Sequence, residues 1–384
     1  MPATDNQHRD IVKNALPPNR IASQVVVRSI EQLSANSGFG CKQYQMPDST
    51  KQPWMMGLLM GAIFLGTACV PSSKISKLKR QTHLLEQAHQ LVEQGLTDEA
   101  LVSFSLAIQQ NPCLVDAHMG MGQIYLNRGD YGQASDTYQH VAQMKPNHPD
   151  ANYYFGLAQQ LLGRLTDAIN IYLRTLAIKP DHLKANQNLA TALLQQGRAI
   201  EALPYAERAV QLKDNEQSVW INLAVIYSLL REYEEAVEAY RQAAELGEMP
   251  TWVLLGLADA HLKQGNYLRA SVVLQRLVKQ SPSALAHERL GFAQFKLMQF
   301  AQALKHYEVA LELTPDDTAS LNGQGVCLMT LYLQSGGENP QRKNDAINAW
   351  RRSLQIRPEQ PLIKDLISRY HNLWENPTQR QVNQ

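Results

Sequence analysis

The chain has 384 residues, room for two or three ordinary domains or for one long repeat array. Lysine plus arginine number 36 against 35 aspartate plus glutamate, which argues against a nucleic-acid binder, since that class carries a basic excess or stripe. Aromatic residues make up only 7%, while alanine, leucine and glutamine are plentiful, so helices are expected rather than sheets.

Residues 1–53 read as a disordered tail or an over-extended gene start, with Met46 as a second possible start and Lys51 just ahead of an apolar run. That run, Trp54 to Ala68, has fifteen residues and no charge. It is shorter than the roughly 20 residues that cross a bilayer and fits the apolar region of an export signal. It has no polar face, so a core helix is not expected. The run ends Leu65-Gly66-Thr67-Ala68-Cys69. Two small residues followed by cysteine resemble a bacterial lipoprotein signal, and the resemblance makes Cys69 the lipidation site. The leucine stands one place earlier than in that motif, where Gly66 sits here. Lys74, Lys77, Lys79 and Arg80 follow in the tether 70–80. If the run remains as an uncleaved anchor, these charges hold the repeats in the cytoplasm. Two localisations therefore stand open. One is lipid-anchored and periplasm-facing in a bacterial envelope; the other is a single-pass inner-membrane anchor with cytoplasmic repeats.

From residue 81 to 358 the chain repeats. Ala100, Ala134, Ala168, Ala202, Ala236, Ala270, Ala303 and Ala346 are spaced by 34 residues five times, then 33, then 43. Twelve residues before each, except in the last copy, lies a second small residue: Ala88, Gly122, Gly156, Ala190, Ala224, Ala258, Gly291 and Gly325. An aromatic or apolar residue stands four places after most of the alanines, and proline closes several copies, where it cannot continue a helix. Apolar spacing at i, i+3, i+4 and i+7 predicts two helices per copy. Gly129, Gly163, Gly197 and Gly265 fall at the turn between them. In the eighth copy an insertion near Ser335–Lys343 predicts a surface loop, or a helix extension ending in one. Residues 359–375 predict a capping helix, with Leu362, Ile363, Leu366, Ile367, Tyr370, Leu373 and Trp374 on one stripe; 376–384 predict a frayed tail.

Eight copies of this period resemble the tetratricopeptide repeat family. The fold implied is all-α: a right-handed α-solenoid of about eight helix-turn-helix repeats with a C-terminal capping helix. The resemblance further implies that first helices line a concave groove that binds a protein or peptide partner. Carried over by position, that groove takes Glu86, Tyr153, Tyr154, Lys184, Gln187, Asn188, Asn222, Trp252, Glu288 and Arg289. The asparagines match those that hold a ligand backbone, since an amide both donates and accepts. Tyr153, Tyr154 and Trp252 serve as anchors. Chaperone-tail binders of the family pair a fifth-place lysine with a ninth-place asparagine; here those places hold Gln187 with Thr191 and Ile221 with Val225.

No catalytic motif appears. HMGMGQ and LNGQGV stop short of a nucleotide-binding glycine pattern and fall at repeat positions. Cys41, Cys69, Cys113 and Cys327 form no CxxC pair and have no histidine cluster, so no metal or cofactor is expected. Cys113 and Cys327 read as free, inert thiols. The function implied is scaffolding, as in envelope repeat lipoproteins that assist pilus assembly, secretion or polysaccharide export. The alternative is a substrate-recruiting or regulatory subunit of an enzyme on another chain.

Overall fold

The computed structural model describes residues 72–372, which divide into two compact units at Arg198 and Ala199. Every described element is an α-helix. Unit 1 contains α1 Ser72–Glu93, α2 Thr97–Gln110, α3 Val115–Arg128, α4 Tyr131–Met144, α5 Pro149–Leu161, α6 Leu165–Ile178 and α7 Leu183–Gln195. Unit 2 contains α8 Ala199–Leu212, α9 Gln217–Leu230, α10 Tyr233–Leu246, α11 Thr251–Lys263, α12 Tyr267–Gln280, α13 Ala284–Lys296, α14 Phe300–Leu313, α15 Thr318–Gln334, α16 Pro340–Ile356 and α17 Pro361–Asn372. The chain is thus an all-α array of helix pairs.

The small residues do a specific job. In most repeats an aromatic side chain of the second helix lies against the eighth-place residue of its own repeat, the sixth-place residue of the next, or both; Ala206 on α8 and Leu274 on α12 hold that place instead. A Cβ on Gly122 would come 2.6 Å from Tyr138, and one on Gly156 would come 2.8 Å from Tyr172. On the other flank, Gly120 meets Phe104, Gly256 meets Tyr240 and Gly323 meets Tyr307, each inside van der Waals distance of an added methyl. Phe104, Tyr138, Tyr172, Tyr240 and Trp350 are at most 1% exposed. Glycine here lets a ring replace a Cβ between two backbones, so the core stays close-packed.

A second device, which the period did not reveal, locks the turn between repeats. The fourth-place side chain donates to the carbonyl six residues earlier. His118 Nε2 contacts the Pro112 carbonyl at 3.0 Å; Asn152 donates to that of Pro146 at 3.0 Å. Asn186 donates to Pro180 at 3.0 Å and Trp220 Nε1 to Asp214 at 2.6 Å. His148 and His182 add an unusual N-cap, each accepting through Nδ1 from the amide three residues on, at 3.1 Å.

Between paired helices the left-handed position is glycine at 129, 163, 197 and 265, as expected, and also at 95. Arg231 (φ 65°) and Met298 (φ 60°) take the same place in two repeats of unit 2.

Two expectations are revised and one is narrowed. The 70–80 tether is helical from Ser72 and runs unbroken into the first repeat, because no proline or glycine follows Pro71 until Gly95. The insertion takes the second of its two expected forms, a helix extension ending in a loop: α15 and α16 each reach 17 residues, and the loop is 335–339. Tyr332 and Ile347, which flank the insertion, pack with Trp350 and Ile363, while residues 335–343 themselves are exposed or half-buried. Leu362 is 78% exposed and leaves the capping stripe, which Ile363, Leu366, Ile367 and Tyr370 form at i, i+3, i+4 and i+7. Leu373 and Trp374 lie outside the described residues.

Gln360 fastens α17. Its amide nitrogen donates to the carbonyls of Ser353 (3.1 Å) and Arg357 (2.8 Å), and its oxygen accepts from Asn322 at 2.8 Å.

Candidate functional site

The candidate surface is the face of the first helices, and each unit carries its own portion. In unit 1, α5 presents Tyr153 and Tyr154, and α7 presents Lys184, Gln187 and Asn188. Tyr154 stacks on Tyr138 with centroids 5.2 Å apart and 19° between planes, yet stays half-buried. Lys184 is exposed; Gln187 and Asn188 are half-buried. Successive first helices thus offer a fixed ring on α5 and three accessible polar groups on α7.

Tyr153 does not belong to that accessible surface. It is 5% exposed and packs 4.9 Å from the His182 ring. Asn188 Nδ2 donates to its hydroxyl at 3.2 Å and lies 3.5 Å from the Tyr172 hydroxyl. Tyr172 in turn donates to Gln160 Oε1 at 2.8 Å. Burial pushes both phenols above their ordinary range, so they remain neutral. The expected anchor is therefore a core residue, and the expected ligand-holding asparagine spends its donors internally. Its carbonyl oxygen is the group left to face a partner.

His182 closes the same corner. Because its Nδ1 accepts from Ala185, the ring proton sits on Nε2 and is donated to Asp150 Oδ1 at 3.1 Å.

In unit 2, Asn222 on α9 and Trp252 on α11 are half-buried. Arg289 and Glu288 on α13 form an internal ion network. Arg289 Nε donates to Asp259 Oδ1 at 2.9 Å and its Nη1 to Glu288 Oε2 at 2.6 Å. Glu288 is 8% exposed. Burial raises the carboxyls of Glu288 and Asp259 despite the guanidinium beside them. Glu288 is thus committed to Arg289 rather than offered to a ligand. Asp259 escaped the sequence reading; the signal available was its ninth-place position, facing the sixth place of the following repeat.

The clamp positions are closed as well. Thr191, Ile221 and Val225 are 3%, 7% and 1% exposed, so no fifth-and-ninth-place pair reaches solvent there. Glu86 is exposed on α1. Among the described residues no three histidine, cysteine or carboxylate side chains converge as metal ligands. Cys113 is exposed; Cys327 is buried, which pushes its thiol up to about 12. No described helix is long and apolar enough to cross a membrane. Trp54–Cys69, including the expected lipidation site Cys69, lies outside the described residues, as do 1–53 and 376–384.

A stack of such helix pairs with small residues at fixed places defines a helical-repeat protein. Models described as tetratricopeptide repeat match residues 91–161, 187–213, 218–248 and 255–318, and the chain belongs to the tetratricopeptide repeat family. No curated protein matches it. Solved structures with a similar course include PilF of Pseudomonas aeruginosa, at 19% identity and a TM-score of 0.49 over 55% of this chain and 96% of that one. A tetratricopeptide repeat protein of Parabacteroides merdae gives 15% and 0.46 over 65% and 99%. YrrB, described as having an unusual peptide-binding site, gives 17% and 0.44 over 51% and 97%.

Proposed function

We propose that this protein is a non-catalytic scaffold, attached to a bacterial envelope membrane through residues 54–69. Its first-helix faces bind a protein or peptide partner and so assist assembly of a larger complex such as a pilus, a secretion machine or a polysaccharide exporter. The observation that carries the binding part is Tyr154. Its ring is fixed by the stack on Tyr138 and remains half-exposed, and Lys184, Gln187 and Asn188 are accessible on α7, the first helix of the next repeat. A pre-positioned ring loses little freedom when a partner covers it, and the amide and ammonium groups on α7 suit an extended backbone.

Capture from a detergent extract, followed by mass spectrometry, identifies the partner. Tyr154→Ala is expected to weaken that capture about tenfold or more, as for an anchor residue; unchanged affinity would reject this face. Attachment is tested separately with Cys69→Ser. Release from membranes supports acylation, and retention supports an uncleaved helix.

A further inference from the structure

The outer face of unit 2 carries a charge pattern that the groove reading does not use. The second helices α10 and α12 bury equivalent positions: Ala236, Tyr240 and Ala243 recur 34 residues later as Ala270, Leu274 and Leu277. Their opposite faces are therefore exposed at equivalent positions, on the same side of the unit. Those faces differ in sign. Residues 232–248 contain six glutamates and one basic residue, Arg241. Residues 260–287 contain no aspartate or glutamate, and they include Lys263, Arg269, Arg276 and Lys279.

The match is positional as well as net. Glu235 answers to Arg269, and Glu245 to Lys279, each 34 residues on, and all four are exposed. Arg269, Arg276 and Lys279 have no ion pair among the described residues. Beside them α12 exposes Leu268 (67%) and Val272 (60%).

We propose that this face pairs with a second copy of the chain about a two-fold axis parallel to α10 and α12. Rotation about such an axis preserves helix direction and exchanges the two helices. Glu235 then faces Arg269 of the partner subunit, and Glu245 faces Lys279 of the partner subunit. The symmetry makes each pair twice. An axis across the helices would set glutamate against glutamate, so charge selects the first arrangement. Glu245 is already held by Arg241 of its own helix, which leaves Glu235 with Arg269 as the pair that gains most. A membrane of anionic lipid would attract α12 but be repelled by α10 beside it, and this favours a second copy as the occupant.

The test is light scattering of the full chain in detergent at low ionic strength. The wild type is expected at the mass of two chains, falling towards one in about 0.5 M salt, where the screening length drops to a few ångströms. R269E/K279E and E235K/E245K are each expected to run as one chain, and their equimolar mixture to return to two. The mixture controls for misfolding, since it restores opposite charge across both contacts. A monomeric wild type, a variant that keeps the wild-type mass, or a mixture that stays monomeric would overturn the proposal. If the wild type is monomeric and R269E/K279E loses binding to phosphatidylglycerol vesicles, the basic face belongs to a membrane instead.

Discussion

The amide of Asn188 donates to the hydroxyl of Tyr153 across 3.2 Å, joining successive first helices of unit 1. The bond makes Asn188 structural as well as partly accessible. Asn188→Ala is expected to cost about 1–2 kcal/mol, since a buried hydroxyl loses its donor. Asn222 has no such bond, so Asn222→Ala is expected near neutral. Urea unfolding of the two variants separates them; equal midpoints would show that the Asn188 bond does not contribute.

The glycines that abut rings make a sharper contrast. Gly122→Ala would place a methyl 2.6 Å from Tyr138, and the ring has no room to move in a filled core. A loss of about 1–3 kcal/mol is expected from overpacking. Gly132, on the exposed side of α4, has nothing within 4 Å of its added Cβ. Gly132→Ala is expected to gain up to about 1 kcal/mol from helix propensity. Thermal melts of both variants check the signs.

These two cases show what the sequence could and could not say. The 34-residue spacing of Ala100 through Ala270 was enough for the all-α repeat fold, because a fixed period of small residues has few other causes. It also placed the turn glycines. It could not distinguish Tyr153 from Tyr154, since neighbours on a helix differ by 100° and the groove boundary falls between them. Nor could it show that Glu288 is answered by Arg289 and Asp259, because burial sets that pairing and burial comes from the neighbouring repeat. The 335–343 insertion was legible as a loop or a helix extension, and the choice between them rests on Tyr332 and Ile347, on either side of it, finding a core to enter.

Acid should weaken the fold through its histidines. His118, His261, His287 and His306 are held below the ordinary 6.5 by burial. His287 and His306 also share a contact of 3.0 Å between their Nδ1 atoms, which requires that at least one nitrogen be unprotonated. The unfolded chain takes up protons first as pH falls through 6.5, so stability drops from there down to the lowered folded values and levels off below them. Melting temperature across pH 7.5 to 5 follows this slope. His306→Gln should flatten it, and an unaltered slope would assign the effect to other groups.

The terminal helix hangs on one side chain. Gln360 bonds two carbonyls at the end of α16 and the Asn322 amide, while α17 contributes only Ile363 to the fully buried cluster. Gln360→Ala is expected to cost about 1–3 kcal/mol locally and to expose the segment after Ile356 to protease. Limited digestion with intact-mass readout would show early loss of the last residues while the rest of unit 2 persists.

The fourth-place lock is uneven along the chain. His118, Asn152, Asn186 and Trp220 hold their turns, but the equivalent places further on are Leu254, His287 and Leu321. Leucine has nothing to donate, and His287 turns to His306 instead. The early turns are thus tied by a fourth-place side chain and the later ones by others: Gln217 donates to the Glu248 carbonyl at 3.1 Å, and Ser283 and Asp317 accept from the amides of Ala286 and Ser320. Amide hydrogen exchange should be slow at 112–115, 180–183 and 247–250 alike, and Gln217→Ala should speed it only in the last of these. A partner that needs the 247–250 turn to yield would first have to win the carbonyls of Ala243 and Glu248 from Gln217.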